Sequence, residues 1–187
     1  MTWLMILGLL LMFVGLVVPA GPLPEGKAEE APTYVLSPGR DALIVPSIGL
    51  KAPIIPIELT QAGVLSPPAD TGIVGWWKRS AEPGATKGQT LVTGHTVHTG
   101  GGVMNRLGDV GPGDVVKIRD EGRMISYLVT KAFVYSKAEL AANAHDLFSQ
   151  DRRKGRLVLV TCTDWVKGDY LSNIIVFAMP VPPGAAA

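Results

Sequence analysis

Leu157-Val158-Leu159-Val160-Thr161-Cys162 is an apolar, β-branched run that stops at the only cysteine in the chain. Such residues suit a pleated, half-buried strand. Similar short runs lie at Ala42–Val45, Ile54–Ile57, Thr90–Thr93, Asp114–Ile118, Met124–Phe133 and Asn173–Met179. Turn residues separate them. Gly111-Pro112-Gly113-Asp114 reads as a turn and Asp120-Glu121-Gly122 as a tight hairpin. One stretch, Ser136–Phe148, reads as helix, around Lys137-Ala138-Glu139-Leu140-Ala141-Ala142. Many short strands with close turns predict an all-β barrel or sandwich with short helices. No internal repeat is visible.

The chain has 187 residues and a net charge of +1, from 17 Lys and Arg against 16 Asp and Glu. That balance gives no basic footprint for nucleic acid. Charged residues make up 18%, below the roughly 25% of ordinary soluble domains. The 22 Gly and 15 Pro follow no period, so a collagen-like chain is excluded. One Cys rules out an internal disulfide framework, a CxxC pair and a Cys-cluster zinc site.

The N-terminus explains the low charge. Trp3 to Val18 is wholly apolar or Gly, and no charge occurs before Glu25. As a helix this run rises about 24 Å, short of the roughly 30 Å hydrocarbon core. The flanks Met1, Thr2 and Pro19–Leu23 extend it, and Trp3 suits an interface. An uncleaved anchor and a cleaved signal both fit, since Val18-Pro19-Ala20 loosely resembles a cleavage site and no Lys or Arg precedes the run. A buried soluble helix is a third reading. The first two export the remainder. Residues 1–20 are therefore read as a membrane anchor (an N-terminal transmembrane helix) or signal segment. Residues 21–40, rich in Pro, Gly, Glu and Ala, form a spacer. A domain of about 140 residues follows over 41–180, and 181–187 is a tail.

In an exported domain an unpaired thiol is either a buried small hydrophobe or a working group. As a nucleophile Cys162 needs a base or a nearby cation. Three His are available. His95 closes the strand Thr90–Thr93 and opens a loop containing Gly100-Gly101-Gly102, a usual place for site residues. His98 would face away from His95 if the strand continued. His145 falls on a polar helix, where a solvated role is the simplest. His95-x-x-His98 lacks the helix and carboxylate of a metal pair, so no metal site and no cofactor are expected.

These residues carry a resemblance. "LVTGH" at His95 followed by "LVLVTC" at Cys162 resembles the sortases, cysteine transpeptidases of Gram-positive surfaces. "LIVPSIGLKAPIIPI" resembles that family's opening strand pair, and "GIVGWWKRSAEPG" its Gly-Trp segment in the class E/F, actinobacterial type. "MNRLGDVGPGDVVKI" resembles its turn into a strand, and "DYLSNIIVFA" its closing strand. The landmarks run in family order over about 41–179. The resemblance implies a closed eight-stranded sortase-type β-barrel. It also implies cleavage of an LPXTG-like sorting signal between Thr and Gly through a thioacyl-enzyme, with transfer to an amine of a peptidoglycan precursor or a pilin Lys. Cys162 would be the nucleophile and His95 the proton shuttle. Thr161 matches the family's Thr-Cys signature. The implied partners are sorting-signal proteins, the amine acceptor and the membrane. The implied location is the cell membrane, with one N-terminal pass and an extracellular catalytic domain. Trp76, Trp77 and Trp165 either wall the groove against water or pack the core.

The resemblance breaks at one position. The family carries an Arg on the closing strand, and Asp169-Tyr170-Leu171-Ser172-Asn173-Ile174 has none; Leu171 or Ser172 stands where it is expected. The Asn173 amide replaces it, or Lys167, Arg79 or Arg106 reaches in, or the enzyme is weak. Asp164 orients His95 or Asn173, or closes a simple Asx-turn. A catalytically impaired barrel that binds sorting peptides or serves pilus assembly is the alternative function. Other cell-wall cysteine enzymes fit worse. The NlpC/P60 hydrolases place Cys before His, and the L,D-transpeptidases keep the two close together.

Overall fold

The computed structural model describes residues 41–182. The anchor or signal expected at 1–20, the spacer at 21–40 and most of the tail at 181–187 lie outside the described residues. Among the described residues, no helix is long and apolar enough to cross a membrane.

The described residues hold eight strands: β1 (Ala42–Val45), β2 (Leu50–Ile57), β3 (Val74–Trp77), β4 (Gln89–Thr93), β5 (Val115–Asp120), β6 (Arg123–Ser136), β7 (Arg156–Val166) and β8 (Asp169–Pro180). They close into a barrel in the order β1-β2-β3-β4-β7-β8-β6-β5. One helix, α1 (Lys137–Phe148), joins β6 to β7, and two 3-10 turns occupy Pro46–Ile48 and Leu107–Asp109. The expected all-β closed barrel with short helices is therefore present.

β7 shows why its sequence is so apolar. Leu157 and Leu159 enter the barrel core with Leu43, Val74, Val92, Ile118 and Val176. Alternate residues of a strand face opposite sides, and Val158 faces a second cluster with Leu91, Ile175 and Phe177. Leu147 belongs to that cluster, and Leu140 and Phe148 pack against it from α1. With the core on one side and the helix on the other, neither face of β7 calls for polar residues.

β3 went unread as a strand, and β2 starts earlier than its sequence advertises. Both effects have local causes. β3 has four residues and includes Gly75, where a Cβ would lie 2.5 Å from Ile57 Cδ1. β2 contains Pro53 and Pro56, which cannot donate to a ladder. Its first half, Leu50–Pro53, pairs with β1, and its second half, Ile54–Ile57, with β3. Each proline thus has a ladder partner on one side only, as at a sheet edge.

α1 begins with a capping box. The Ser136 hydroxyl accepts from the Glu139 backbone N–H at 3.2 Å, and the Ser136 backbone N–H donates to the Glu139 carboxylate at 2.9 Å. The two bonds from Ser136 hold that carboxylate below its usual range. Ser136→Ala removes the side-chain half of the box and should cost about 1 kcal/mol. Denaturant unfolding checks this, and an unchanged midpoint counts against the cap.

The two-residue hairpins follow turn chemistry. Glu121 and Gly122 (φ 48° and 82°) link the paired residues Asp120 and Arg123. Lys167 and Gly168 (φ 49° and 96°) link Val166 and Asp169. Positive φ at both central positions is the twist-matched hairpin turn. The second hairpin brings β8 back along β7 with Asn173 opposite Cys162.

Candidate active site

The site is set by the parallel pairing of β4 with β7, which matches Thr93 to Val160. The Gly94 N–H continues it by donating to the Val160 carbonyl at 3.3 Å. Two residues further on, His95 comes level with Cys162, and parity puts both on the outward face shared by Val158 and Val160.

Side-chain bonds fix this level. The Thr161 hydroxyl donates to the Gly94 carbonyl at 2.8 Å and meets the Thr96 hydroxyl at 2.9 Å. The Thr93 hydroxyl donates to the Val160 carbonyl at 3.1 Å. Behind the ring, the glycine loop closes on His95. The Met104 N–H donates to the His95 carbonyl at 2.9 Å, and a Cβ on Gly102 would lie 2.7 Å from that carbonyl.

The His95 ring makes its hydrogen bond through Nε2, 2.8 Å from the Pro68 carbonyl in the β2–β3 connection. A carbonyl only accepts, so Nε2 carries the proton, and in the neutral ring Nδ1 holds the lone pair. No hydrogen bond joins the His95 and Cys162 side chains among the described residues. Cys162 is half-buried, and its sulfur lies 3.8 Å from Asn173 Nδ2. That amide also donates to the Thr161 carbonyl at 3.3 Å. Burial pushes the thiol up, Asp169 adds to this, and Lys137 and the Asn173 bond oppose it.

The other candidates divide. Thr161, the Thr of the Thr-Cys signature, is 2% exposed and faces the barrel interior. Its hydroxyl is spent on joining the His95 segment to β7. Thr161→Val keeps the shape but leaves the Gly94 carbonyl without this donor, and should cost about 1–3 kcal/mol. Chemical unfolding measures it, and stability equal to wild type counts against the tie. Asp164 has a left-handed backbone (φ 60°), and its carboxylate bonds to neither His95 nor Asn173 among the described residues.

The register places Asn173, rather than Leu171 or Ser172, opposite Cys162. Arg79 is 3.3 Å from Glu58. Arg106 bonds Asp109 and the Ile48 carbonyl. Lys167 sits in the β7–β8 turn. Lys137, a base the sequence did not single out, bonds Asp169 across the start of β8, with Nζ 2.6 Å from Oδ2.

Aromatic residues finish the mouth. His98 stacks on Trp165 with centroids 3.9 Å apart and planes 4° from parallel. Trp165 meets Tyr170 edge-on at 4.8 Å, and the Tyr170 hydroxyl donates to the Thr96 carbonyl at 2.7 Å. This chain of contacts ties the His95 loop to the β7–β8 hairpin. Trp77 packs with Leu65 and Val160 against the outward cluster, and Trp76 against the core. His145 is solvated on α1. Among the described residues no group of His, Cys, Asp and Glu is arranged to hold a metal ion.

A family model described as the Sortase domain matches residues 43–181. A comparison with curated proteins found no match. Similar solved structures include sortase A from Corynebacterium diphtheriae, at 23% identity and a TM-score of 0.63 over 79% of this chain. This chain spans 63% of the length of that protein. Sortase C-1 from Actinomyces oris is 24% identical, with a TM-score of 0.58 over 76% of this chain and 73% of that one. A Clostridium perfringens sortase D5 transpeptidase is 21% identical, with a TM-score of 0.58 over 76% of this chain and 79% of that one.

Proposed function

Since this chain belongs to the sortase family, we propose that it is a cysteine transpeptidase. It cleaves an LPXTG-like sorting signal between Thr and Gly and passes the acyl group to an amine of a peptidoglycan precursor or a pilin Lys. Its place is the outer face of the cell membrane, with residues 1–20 as the anchor. Its assignment to the class E/F type rests on the Gly-Trp segment around Trp76 and Trp77.

The observation that supports this reading is the Thr93–Val160 register, from which His95 and the chain's one thiol each lie two residues further along. Peptide exchange then proceeds as two acyl transfers. His95 takes the Cys162 proton, and the sulfur adds to the scissile carbonyl. The tetrahedral adduct collapses with the C–N bond breaking, and His95 gives its proton to the departing glycine nitrogen. The incoming amine reverses the sequence, with His95 as base. Trp165 and the outward cluster limit water at the thioester.

Two observations favour a second reading, a sorting-peptide-binding barrel of weak activity. Asn173 stands opposite the thiol with no Arg on β8, and burial pushes the thiol up. The test uses the full chain with fluorogenic LPXTG and LAXTG peptides and glycine or a diamine. The expected results are a ligated product and, with the amine withheld, a thioacyl adduct on Cys162 by mass spectrometry. Peptide binding without adduct or product would select the second reading.

A further inference from the structure

A second concavity lies outside the site described above. It is a groove of about 400 Å³ between α1 and the outward face of β6 and β8. His95, Cys162 and Asn173 take no part in its lining. Phe177 on its floor pairs with Val158, four residues before Cys162 on β7, or about 13 Å back along the strand.

Its charge is one-sided. Lys131 on β6, Arg152 after α1 and Arg156 on β7 bring three cations to the wall, and Asp146 brings one carboxylate. Among the described residues no ion pair joins any of the three to an Asp or Glu. The Asp146 carboxylate lies 3.4 Å from His145 instead. Arg156 donates from Nε to the Gln89 side chain at 2.6 Å and from Nη2 to the Leu147 carbonyl at 2.9 Å. Its guanidinium lies 4.2 Å over the Phe177 ring. Burial and the neighbouring Arg152 push Arg156 down to about 10. Arg152 donates from Nη2 to the Asp146 carbonyl, while its Nε is buried without a partner. An anion would give that N–H an acceptor and offset the crowding of like charges.

The apolar part shares the same face. Phe133 is 43% exposed, and its ring stands tilted against Tyr135 and edge-on to Phe177. Leu128, equally exposed, pairs with Met179 at one end of the groove. The β-bulge between Val129 and Lys131 makes this possible. Without the extra residue at Thr130, Lys131 and Phe133 would turn into the barrel while Leu128 faced out. Apolar and cationic positions therefore follow one another along a strip from Leu128 to Phe133. A compact phosphate would engage the cations and leave Leu128 and Phe133 bare, whereas a polypeptide segment covers both.

We propose that this groove is a docking site for an acidic polypeptide segment, whose carboxylates meet Lys131, Arg152 and Arg156 while an aromatic or aliphatic neighbour covers Phe133. The proposal goes beyond the transpeptidase reading and does not depend on it.

The test is fluorescence anisotropy of a labelled peptide, Glu-Glu-Phe-Glu-Glu, titrated with the full chain at low salt. Saturable binding is expected, about tenfold weaker for Gln-Gln-Phe-Gln-Gln. Lys131→Glu and Phe133→Ser, both at exposed positions, should each weaken binding about tenfold, and Lys131→Arg should retain it. Lys131→Glu should also bind Lys-Lys-Phe-Lys-Lys better than wild type does, a gain that misfolding cannot produce. Cys162→Ala should bind as wild type, and an unlabelled LPXTG peptide should not displace the label. No saturable binding to wild type, equal binding of the Gln peptide, or an unchanged affinity in Lys131→Glu or Phe133→Ser overturns the proposal. Displacement by the LPXTG peptide would return the binding to the active site and overturns it as well. Poly(glycerol phosphate) tests the other source of anions: if it binds and the Glu peptide does not, the groove is a phosphate site and the polypeptide is rejected.

Discussion

Cys162→Ala is expected to leave no measurable transfer of an LPXTG peptide to glycine, and His95→Ala to slow it by about 10²–10⁴-fold. The two losses differ in kind. Cys162 is the only cysteine in the chain, so without its sulfur no C–S bond and no thioacyl intermediate can form. His95 moves protons, and water partly replaces a proton shuttle where it does not replace a nucleophile. His98 offers no substitute, because its ring is stacked flat on Trp165. His98→Ala should therefore fall less far than His95→Ala. The His95→Ala loss should appear in both half-reactions, since the same ring protonates the leaving amine and deprotonates the incoming one. Single-turnover acylation followed by mass spectrometry, with aminolysis of the thioester measured separately, resolves the two. Turnover surviving in Cys162→Ala would end the assignment.

The strands that were legible beforehand carry an apolar face, and β1, with four residues, was legible because all four are apolar. β7 announces itself because the core takes Leu157 and Leu159 while the helix side takes Val158. α1 was legible to within one residue from the run Lys137-Ala138-Glu139-Leu140-Ala141-Ala142, and the capping box of Ser136 and Glu139 came from the structure. β3 was not, because four residues with Gly75 among them carry no period. The imidazole was legible as a residue just after a strand; the thiol reads as a strand end too, but β7 runs on to Val166 and holds it within the strand. Their common level was not legible, because register between parallel strands is a non-local property.

The start of α1 is a sharper case. Only the β6–β8 ladder, with Ser136 against Ser172, shows that this helix begins beside β8. The same holds for the stack of His98 on Trp165, which joins a loop after β4 to a strand end that lies far away in the chain. Where a side chain's role comes from a neighbouring strand, composition and spacing along its own segment carry no trace of it.

Asn173→Ala is expected to slow acylation by about 10²–10³-fold, the usual cost of one lost oxyanion donor. The amide has two N–H groups. It donates to the Thr161 carbonyl at 3.3 Å, and its Nδ2 lies 3.8 Å from the Cys162 sulfur. The anchoring bond orients the side chain before substrate arrives, so little reorganisation is needed when charge develops. An oxygen bound to the carbon that sulfur attacks must lie close to that sulfur, within reach of the same amide. Asn173→Asp should be worse than alanine, because it brings a negative charge to the place where the oxyanion forms. Asn173→Arg should keep a substantial part of the activity, since its guanidinium supplies donors and charge from the same strand position opposite Cys162. The readout that isolates the role is the acylation rate at saturating peptide, set beside iodoacetamide alkylation of the free thiol. A donor to the oxyanion affects the first far more than the second, because alkylation passes through no tetrahedral adduct. Equal losses in both would mean that Asn173 acts on the sulfur itself, and an unchanged acylation rate would remove it from the site.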